Sequence, residues 1–216
     1  MPFPDARPDD VAWPALVWPV PAGTRLGDAW VSLTAFDADR DAEALFAALD
    51  HDAVWAHVPG RPAHAEDLVR TVHERRDRLG WFPWVVRDAR DGRVVGTSSY
   101  LDVSVPDARL EVGATAYAPD VWAGPVNPAT KAALLGLAFD TLRAGRVQLK
   151  TDVRNLRSQR AIARLGATPE GVLRRYQRRA DGTVRDTAVF SVTAEDWPRV
   201  RAGLVARLDG YLPRRG

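Results

Sequence analysis

The stretch Asn155–Arg175, NLRSQRAIARLGATPEGVLRR, carries the clearest signals of local structure in the chain. Asn155 is a favourable helix N-cap, because its side-chain oxygen can accept a hydrogen bond from an amide of the first turn. Gly166 favours the left-handed conformation that ends many helices, so we predict a helix from Asn155 to Leu165. The residues that follow read as an extended strand. A helix leading directly into a strand is typical of an α/β domain.

Further elements lie on both sides of this stretch. Asp181-Gly182, between GVLRRYQRR and VRDTAVFSV, predicts a hairpin, and so does Asp91-Gly92. A last helix follows, with Thr193 as its predicted N-cap. Upstream we predict, in order, the strand WVSLTAF, two helices joined by the loop HDAVWAHVPGRP, three strands, a helix from about Pro128 to Leu142 and the strand VQLKTD. This order predicts a mixed, mostly antiparallel sheet flanked by helices, with one or two βαβ crossings.

Composition restricts the class of protein. The chain has 216 residues, of which 46% are hydrophobic and 27% charged, as in a globular domain. No apolar run approaches the length that spans a membrane, and no basic-then-apolar signal pattern opens the chain, so we expect a cytoplasmic protein without a membrane partner. Cysteine is absent, which excludes disulfides, thiolate zinc sites and a cysteine nucleophile. The spacing of the four histidines does not fit a metal site, and none is expected.

Residues 1–24 differ from the rest of the chain, since they hold six prolines and no periodic pattern. We interpret them as an extended arm, and residues 25–216 as one domain. Trp13 and Trp18 are too costly to leave exposed, so the arm should pack on the domain or on a second subunit. A homodimer is therefore one expectation for the assembly.

Arginine supplies nearly all the positive charge, at a net charge of +2 and a pI of about 9.3. Two clusters stand out: Arg154, Arg157, Arg160 and Arg164, and then Arg174, Arg175, Arg178 and Arg179. Such clusters form either a solvated face or a phosphate-binding patch. Nucleic-acid binding through them would show a steep loss of affinity with salt, but we do not expect a nucleic-acid partner.

Taken together, RLEVG, NPATK, NLRSQRAIARLGATPEGVLRR and DGTVRDTAVFSVTAEDW resemble the GNAT acetyltransferase superfamily over roughly residues 26–205. The branch that they resemble is the Rim-type one, which includes N-terminal acetyltransferases of ribosomal proteins. The resemblance implies an α/β GNAT fold whose sheet splays between its fourth and fifth strands. Acetyl-CoA is the implied co-substrate: its pantetheine arm enters the splay, and its pyrophosphate rests on the loop before the central helix.

That loop is VWAGPVNPATK, from Val121 to Lys131. Asn127 as N-cap and Pro128 at the first position predict the helix start, where free amides and the helix dipole attract anions. The family pattern Gln/Arg-x-x-Gly-x-Gly/Ala is altered, because Trp122 or Val121 replaces the Gln/Arg and Pro125 can replace the glycine. The loop either cradles pyrophosphate or is rigid without a ligand. As cradle residues we predict Trp122, Ala123, Gly124, Val126, Asn127, Ala129 and Thr130, and for the 3′-phosphate Lys131, Arg160 or Arg164.

The catalytic residues implied by the resemblance are Glu111 and Ser158. On the strand RLEVGATAY, Glu111 alternates with core residues and shares a face with Gly113, Thr115 and Tyr117, which is either solvent-facing or lines the cleft. In the cleft, Glu111 could accept a proton from an amine, directly or through water. Asn155 and Ser158 are either a plain helix cap or contacts to pantetheine, with the Ser158 hydroxyl protonating the departing thiolate.

Three further aromatic residues complete the expected site. Tyr117 fits the place where strand backbone pairs with pantetheine. Trp55 and Tyr100 are candidates for the acceptor site, although such residues more often belong to a core.

We therefore predict an N-acetyltransferase that transfers acetyl from acetyl-CoA to a primary amine by direct attack, the acceptor being a protein N-terminus or a small molecule. The alternative is a GNAT-fold module that binds CoA, or nothing, without chemistry.

Overall fold

The structure is a computed structural model that describes residues 12–58, 60–179 and 181–212. Its strands are β1 Arg25–Gly27, β2 Val31–Ala35, β3 Phe82–Asp88, β4 Val94–Ser104, β5 Arg109–Tyr117, β6 Arg146–Asp152, β7 Thr168–Arg178 and β8 Val184–Thr193. Within the described ranges they form one sheet in the order β1-β2-β3-β4-β5-β6-β8-β7. Every neighbouring pair is antiparallel except β5 and β6. The predicted mixed α/β sheet is confirmed. The short strand β1 was not predicted, so the predicted fourth and fifth strands are β5 and β6.

Helices cover both faces of the sheet: α1 Ala38–Leu49, α2 Asp52–Trp55, α3 Ala65–Leu79, α4 Val126–Gly136, α5 Leu156–Ala163 and α6 Trp197–Asp209. On one face, α4 and α6 bury Leu134 and Leu204 against the sheet. On the other, α1 and α3 bury Leu45 and Leu68. The short helix α2 lies where the sequence predicts only a loop. It forms because the His51 side chain accepts a hydrogen bond from the Ala53 amide at its start.

Two predicted helix starts are wrong. Helix α4 begins at Val126 with Pro125 as its N-cap, so Asn127 lies in the first turn and does not cap it. Pro125 has φ −73°, which already suits a helix, and the chain therefore enters the helical path before Asn127. Helix α6 begins at Trp197, not directly after Thr193. Thr193 and Asp196 instead bond each other's amides, which forms a turn ahead of the helix.

The sheet opens between β5 and β6. Their pairing runs only from Arg109–Arg146 to Glu111–Gln148, and beyond it each strand pairs only with its outer neighbour. A bulge in β5 adds to the opening, because three steps from Gly113 to Ala116 lie opposite two steps of β4. Ala114, inside the bulge, has φ +46°. The predicted splay is confirmed.

The bulge changes which residues share a face. Glu111 faces β6 residues on the α1 side of the sheet. Past the bulge, the Thr115 hydroxyl contacts Lys131 of α4, and Tyr117 belongs to the core under α4. The predicted common face of Glu111, Thr115 and Tyr117 is therefore wrong, since the inserted residue reverses the alternation.

The described part of the N-terminal arm packs on the domain. Leu16 and Val20 are buried in the core under α4. The Trp18 ring lies edge-on to Phe82, with the ring centroids 6.1 Å apart. Trp13 remains about half exposed, and its indole nitrogen donates to the Arg143 carbonyl oxygen at 3.1 Å. No helix among the described residues is long and apolar enough to cross a bilayer.

Candidate active site

The gap between β5 and β6 is part of a cavity of about 710 Å³. One end is lined by Trp122 and Asn127, at the loop before α4. The middle is lined by Glu111 and Ser158, and the far end by Trp55 of α2 with other residues of α1 and α3. One continuous space thus connects a helix N-terminus with a buried carboxylate and an apolar wall.

The loop before α4 presents unused donors. Within the described chain, the amides of Ala123, Val126 and Asn127 donate no hydrogen bond. Ala123 has φ +61°, a strained conformation for a residue with a side chain. The Tyr211 hydroxyl donates to its carbonyl oxygen at 3.3 Å. The Ala129 amide is not available, because it bonds the Pro125 carbonyl. The loop is therefore a fixed turn with a small group of free donors, suited to an anion.

Trp122 anchors this loop in the core of the domain. Its ring packs against both hydrophobic clusters of the domain, and its indole nitrogen donates to the Tyr117 carbonyl oxygen at 2.9 Å. The Arg157 guanidinium lies 3.7 Å from the centre of the ring. Arg157 was not among the predicted site residues, although it belongs to the first arginine cluster. It places a cation beside the loop, where the family pattern has Gln or Arg.

Asn155 and Ser158 are brought to the cavity by the start of α5. Asn155 is the N-cap, and its side-chain oxygen accepts from the Ser158 amide at 3.0 Å. Both residues line the cavity. No hydrogen bond of the Ser158 hydroxyl lies within the described residues, so the cap leaves the hydroxyl free. The two interpretations of these residues, helix cap and ligand contact, are compatible.

Glu111 is buried and paired with Lys150 of β6, with 2.8 Å between Oε2 and Nζ. Burial raises the pKa of Glu111 above its ordinary value, and the Lys150 ammonium opposes part of that rise. Lys150 was not among the predicted site residues. Its signal in the sequence is that Gln148, Lys150 and Asp152 occupy alternate positions of β6.

Lys131 is the other lysine at the cavity, and it is 4% exposed. Its ammonium donates to the Thr115 hydroxyl at 2.6 Å and to the Ser98 hydroxyl at 3.0 Å. No carboxylate of the described chain forms an ion pair with it. Burial lowers its pKa to about 7, against a weaker upward influence from the charge of Glu111.

The structure does not support several of the predicted roles. Tyr100 is fully buried away from the cavity, with its hydroxyl bonded to the Leu134 carbonyl, so it cannot contact an acceptor. Thr130 is also fully buried in α4. Lys131 points into the sheet and not toward a phosphate outside the domain. These positions are occupied by core packing, which the residue types alone do not distinguish from a site.

Of the other predicted site residues, two line the cavity with contacts that were not expected, and two do not line it. Tyr117 lines the cavity, but its ring is buried and its carbonyl accepts the Trp122 indole. Arg160 of α5 and Arg164, the residue that caps the end of α5, are exposed, and neither lines the cavity. Trp55 lines the far end, and its indole nitrogen donates to the Leu49 carbonyl at 2.7 Å. Among the described residues, no group of three or more His, Cys, Asp or Glu is placed to hold a metal ion.

Comparison with known proteins also indicates an acetyltransferase. Residues 31–168 match the family described as acetyltransferase (GNAT) domain. The uncharacterised N-acetyltransferase YoaA of Bacillus subtilis (strain 168) is 24% identical over 158 residues, which is 71% of this chain and 88% of YoaA. A structure from T. thermophilus, assigned as an acetyltransferase, is 35% identical with a TM-score of 0.77, covering 88% of this chain and 99% of that one. Mycobacterium smegmatis RimJ in complex with CoA-disulfide has a TM-score of 0.71 at 24% identity, covering 85% and 93%.

A mixed sheet that splays beside a helix N-terminus, with a cavity in the splay, is the arrangement that the resemblance to acetyltransferases implies. The extent of the family match goes one step further: the chain belongs to the GNAT family and is an acetyltransferase. The GNAT family uses acetyl-CoA. The predicted GNAT family is confirmed, and RimJ shares its fold with this chain.

Proposed function

We propose that this protein transfers the acetyl group of acetyl-CoA to a primary amine by direct attack within the β5–β6 cavity. The observation that carries the proposal is the continuity of that cavity. It joins the free amides before α4, the Ser158 hydroxyl and the Glu111 carboxylate in one space. Since the chain has no cysteine, a thiol acyl-enzyme is not available, and direct attack is the simpler route.

The residues present fit CoA at the loop before α4. The amides of Ala123, Val126 and Asn127 and the α4 dipole would hold the pyrophosphate. Arg157 would supply the cation that the loop itself lacks. Asn155 and Ser158 would contact the pantetheine arm in the gap. When bound, acetyl-CoA supplies the activated thioester, and the chain positions it.

Glu111 is the proposed general base. Its carboxylate is inside the cavity, and the raised pKa brings it closer to that of an amine, which favours proton acceptance. The Lys150 ammonium holds the carboxylate in one orientation. Ser158 would donate a proton to the departing thiolate, from the opposite side of the gap. Amides of the β5 bulge around Ala114 are proposed to polarise the thioester carbonyl, because a bulge frees backbone donors from pairing.

Two measurements test this proposal. The melting temperature should rise with CoA by linkage, and rise less with dephospho-CoA. A spectrophotometric thiol-release assay with acetyl-CoA and a panel of primary amines should then detect turnover.

The results separate the proposed function from its alternative. A CoA-dependent shift without turnover of any amine would favour a binding module, for which the altered loop is the supporting observation. Calorimetry that detects no CoA binding at millimolar concentration would show that the proline-containing loop does not hold the ligand, and the proposed function would be rejected.

A further inference from the structure

Two arginines in the wall of the cavity have no salt-bridge partner among the described residues. Arg75 of α3 and Arg185 of β8 both line the same cavity as Glu111. Within the described chain, neither guanidinium forms an ion pair. Arg75 lies over the Trp81 ring, 4.7 Å from its centre, and Arg185 donates through Nε to the Thr187 hydroxyl at 2.9 Å. Each arginine is thus fixed by a local contact, which leaves its terminal nitrogens free.

The carboxylates of the same cavity cannot serve as partners, because each already has its own cation. The distances are 3.3 Å between Arg109 and Asp102, 2.8 Å between Lys150 and Glu111, and 2.6 Å between Arg179 and Asp152. Among the described lining residues, the charged side chains that have no salt-bridge partner are therefore cations. Burial lowers the pKa of both Arg75 and Arg185, and for Arg185 the charges of Asp152 and Glu111 offset part of that effect.

Part of the cavity wall is apolar. Helices α1 to α3 contribute Leu49, Trp55 and Val72 to the cavity wall. A polycationic acceptor would be repelled by the arginines, and it would find no free carboxylate among the described lining residues. A ligand with an apolar body and one oxyanion satisfies both features of the wall.

Resting on the proposed function, we propose that the acceptor is an amine that also carries an oxyanion, a carboxylate or a phosphate, next to an apolar group. Arg185, with Arg75, would bind the oxyanion and orient the amine toward Glu111. The charge of Arg185 acts on Glu111, so this guanidinium is the one tested below. This narrows the acceptor from any amine to the class that includes amino acids and short peptides with a free carboxylate.

The test compares matched amines under saturating acetyl-CoA. L-Leucine carries the carboxylate, its phosphonate analogue carries a phosphate-like group, and leucinamide and 3-methylbutylamine carry neither. Wild-type kcat/KM should be highest for one of the two anionic amines, and their ratio identifies the preferred oxyanion. In Arg185→Gln, kcat/KM for that amine should fall about 10- to 100-fold, as expected for a lost charge-assisted bond, while 3-methylbutylamine changes little.

Controls keep the result specific. Arg174→Gln makes the same change at an exposed position of β7 that does not line the cavity, and it should leave kcat/KM unaltered. Arg185→Lys should recover part of the loss, and the CoA-induced rise in melting temperature should persist in every variant. Preference of the wild type for 3-methylbutylamine or spermidine, or equal losses for charged and neutral amines in Arg185→Gln, would overturn the inference alone. Failure to turn over any amine overturns the proposed function, and the inference with it.

Discussion

Replacing Lys131 by methionine should change how the stability of the protein depends on pH. Lys131 is a buried ammonium bonded to the Ser98 and Thr115 hydroxyls, without an ion pair in the described chain. Methionine has a similar length and carries no charge. The two hydroxyls lie 2.8 Å apart and can bond each other, so the substitution leaves neither without a partner. The variant therefore tests the cost of the buried charge.

The magnitude follows from the pKa of Lys131. A pKa lowered from 10.5 to about 7 corresponds to roughly 5 kcal/mol against the charged form, at about 1.36 kcal/mol per pH unit. Below pH 7 both states bind the proton and this cost is fully present. Between pH 7 and 10.5 the unfolded chain binds more protons than the folded one, so stability rises with pH. From pH 7 to 9 the rise should amount to roughly 2 kcal/mol, or about 4–9 °C in melting temperature.

Urea unfolding of wild type and Lys131→Met over roughly pH 6 to 9 measures this effect. All other titratable groups are common to both proteins, so the difference between the two curves isolates Lys131. We expect the variant to be the more stable at pH 6, with the difference shrinking toward pH 9. Lys150→Met is a control of opposite sign, because it leaves buried Glu111 without its partner. Parallel curves for wild type and Lys131→Met would refute the reasoning.

Three further outcomes are expected. Glu111→Gln should lower turnover about 10²–10⁴-fold while the CoA-induced thermal shift stays intact. The loss of turnover should be smaller at high pH, where the amine is already deprotonated. Wild-type turnover of this variant at neutral pH would remove Glu111 from the mechanism. Gly124→Val should weaken CoA binding measured by calorimetry without unfolding the protein, because the new side chain would crowd the free amides; unchanged affinity would place the pyrophosphate elsewhere. Deleting residues 1–20 should lower the melting temperature, since Leu16 and Val20 each contribute about 1.5–3 kcal/mol by burial; an unchanged value would contradict the packing of the arm.

Periodicity and turn residues predicted most of the fold. The cap at Asn155, the glycine end of α3 and the two Asp-Gly hairpins depend on local chemistry, and local chemistry is visible in sequence. Helix α5 ends at Ala163, two residues before the predicted end. The bulge at Ala114 is different. Alanine with φ +46° has no sequence signal, because the conformation is imposed by pairing with β4. Prediction of the β5 faces therefore fails at the residue where the sheet opens.

The site shows the same limit. Glu111 and Ser158 could be predicted from a resemblance of motifs, and both line the cavity. Lys150, Arg75 and Arg185 come from three distant segments, and only the folded sheet brings them to one space. Tyr100 is the opposite case. It was a candidate for the acceptor site, but it is fully buried in the core. Residue type predicts what a side chain can do, whereas its surroundings decide whether it does so.

The loop before α4 depends both on local sequence chemistry and on a contact that only the folded protein provides. Its prolines remove donors, yet the helix enters its path at Pro125, and Pro128 lies in the first turn, where its missing amide leaves no broken bond. Three free amides remain. The loop has no Gln or Arg at the position of the family pattern, but the ring of Trp122 is covered by Arg157 from α5. A cation is thereby held next to the loop by a neighbouring helix instead of by the loop itself. The loop itself has no cation at the family position, but the Arg157 guanidinium lies beside it. The altered motif is therefore compatible with an anionic ligand.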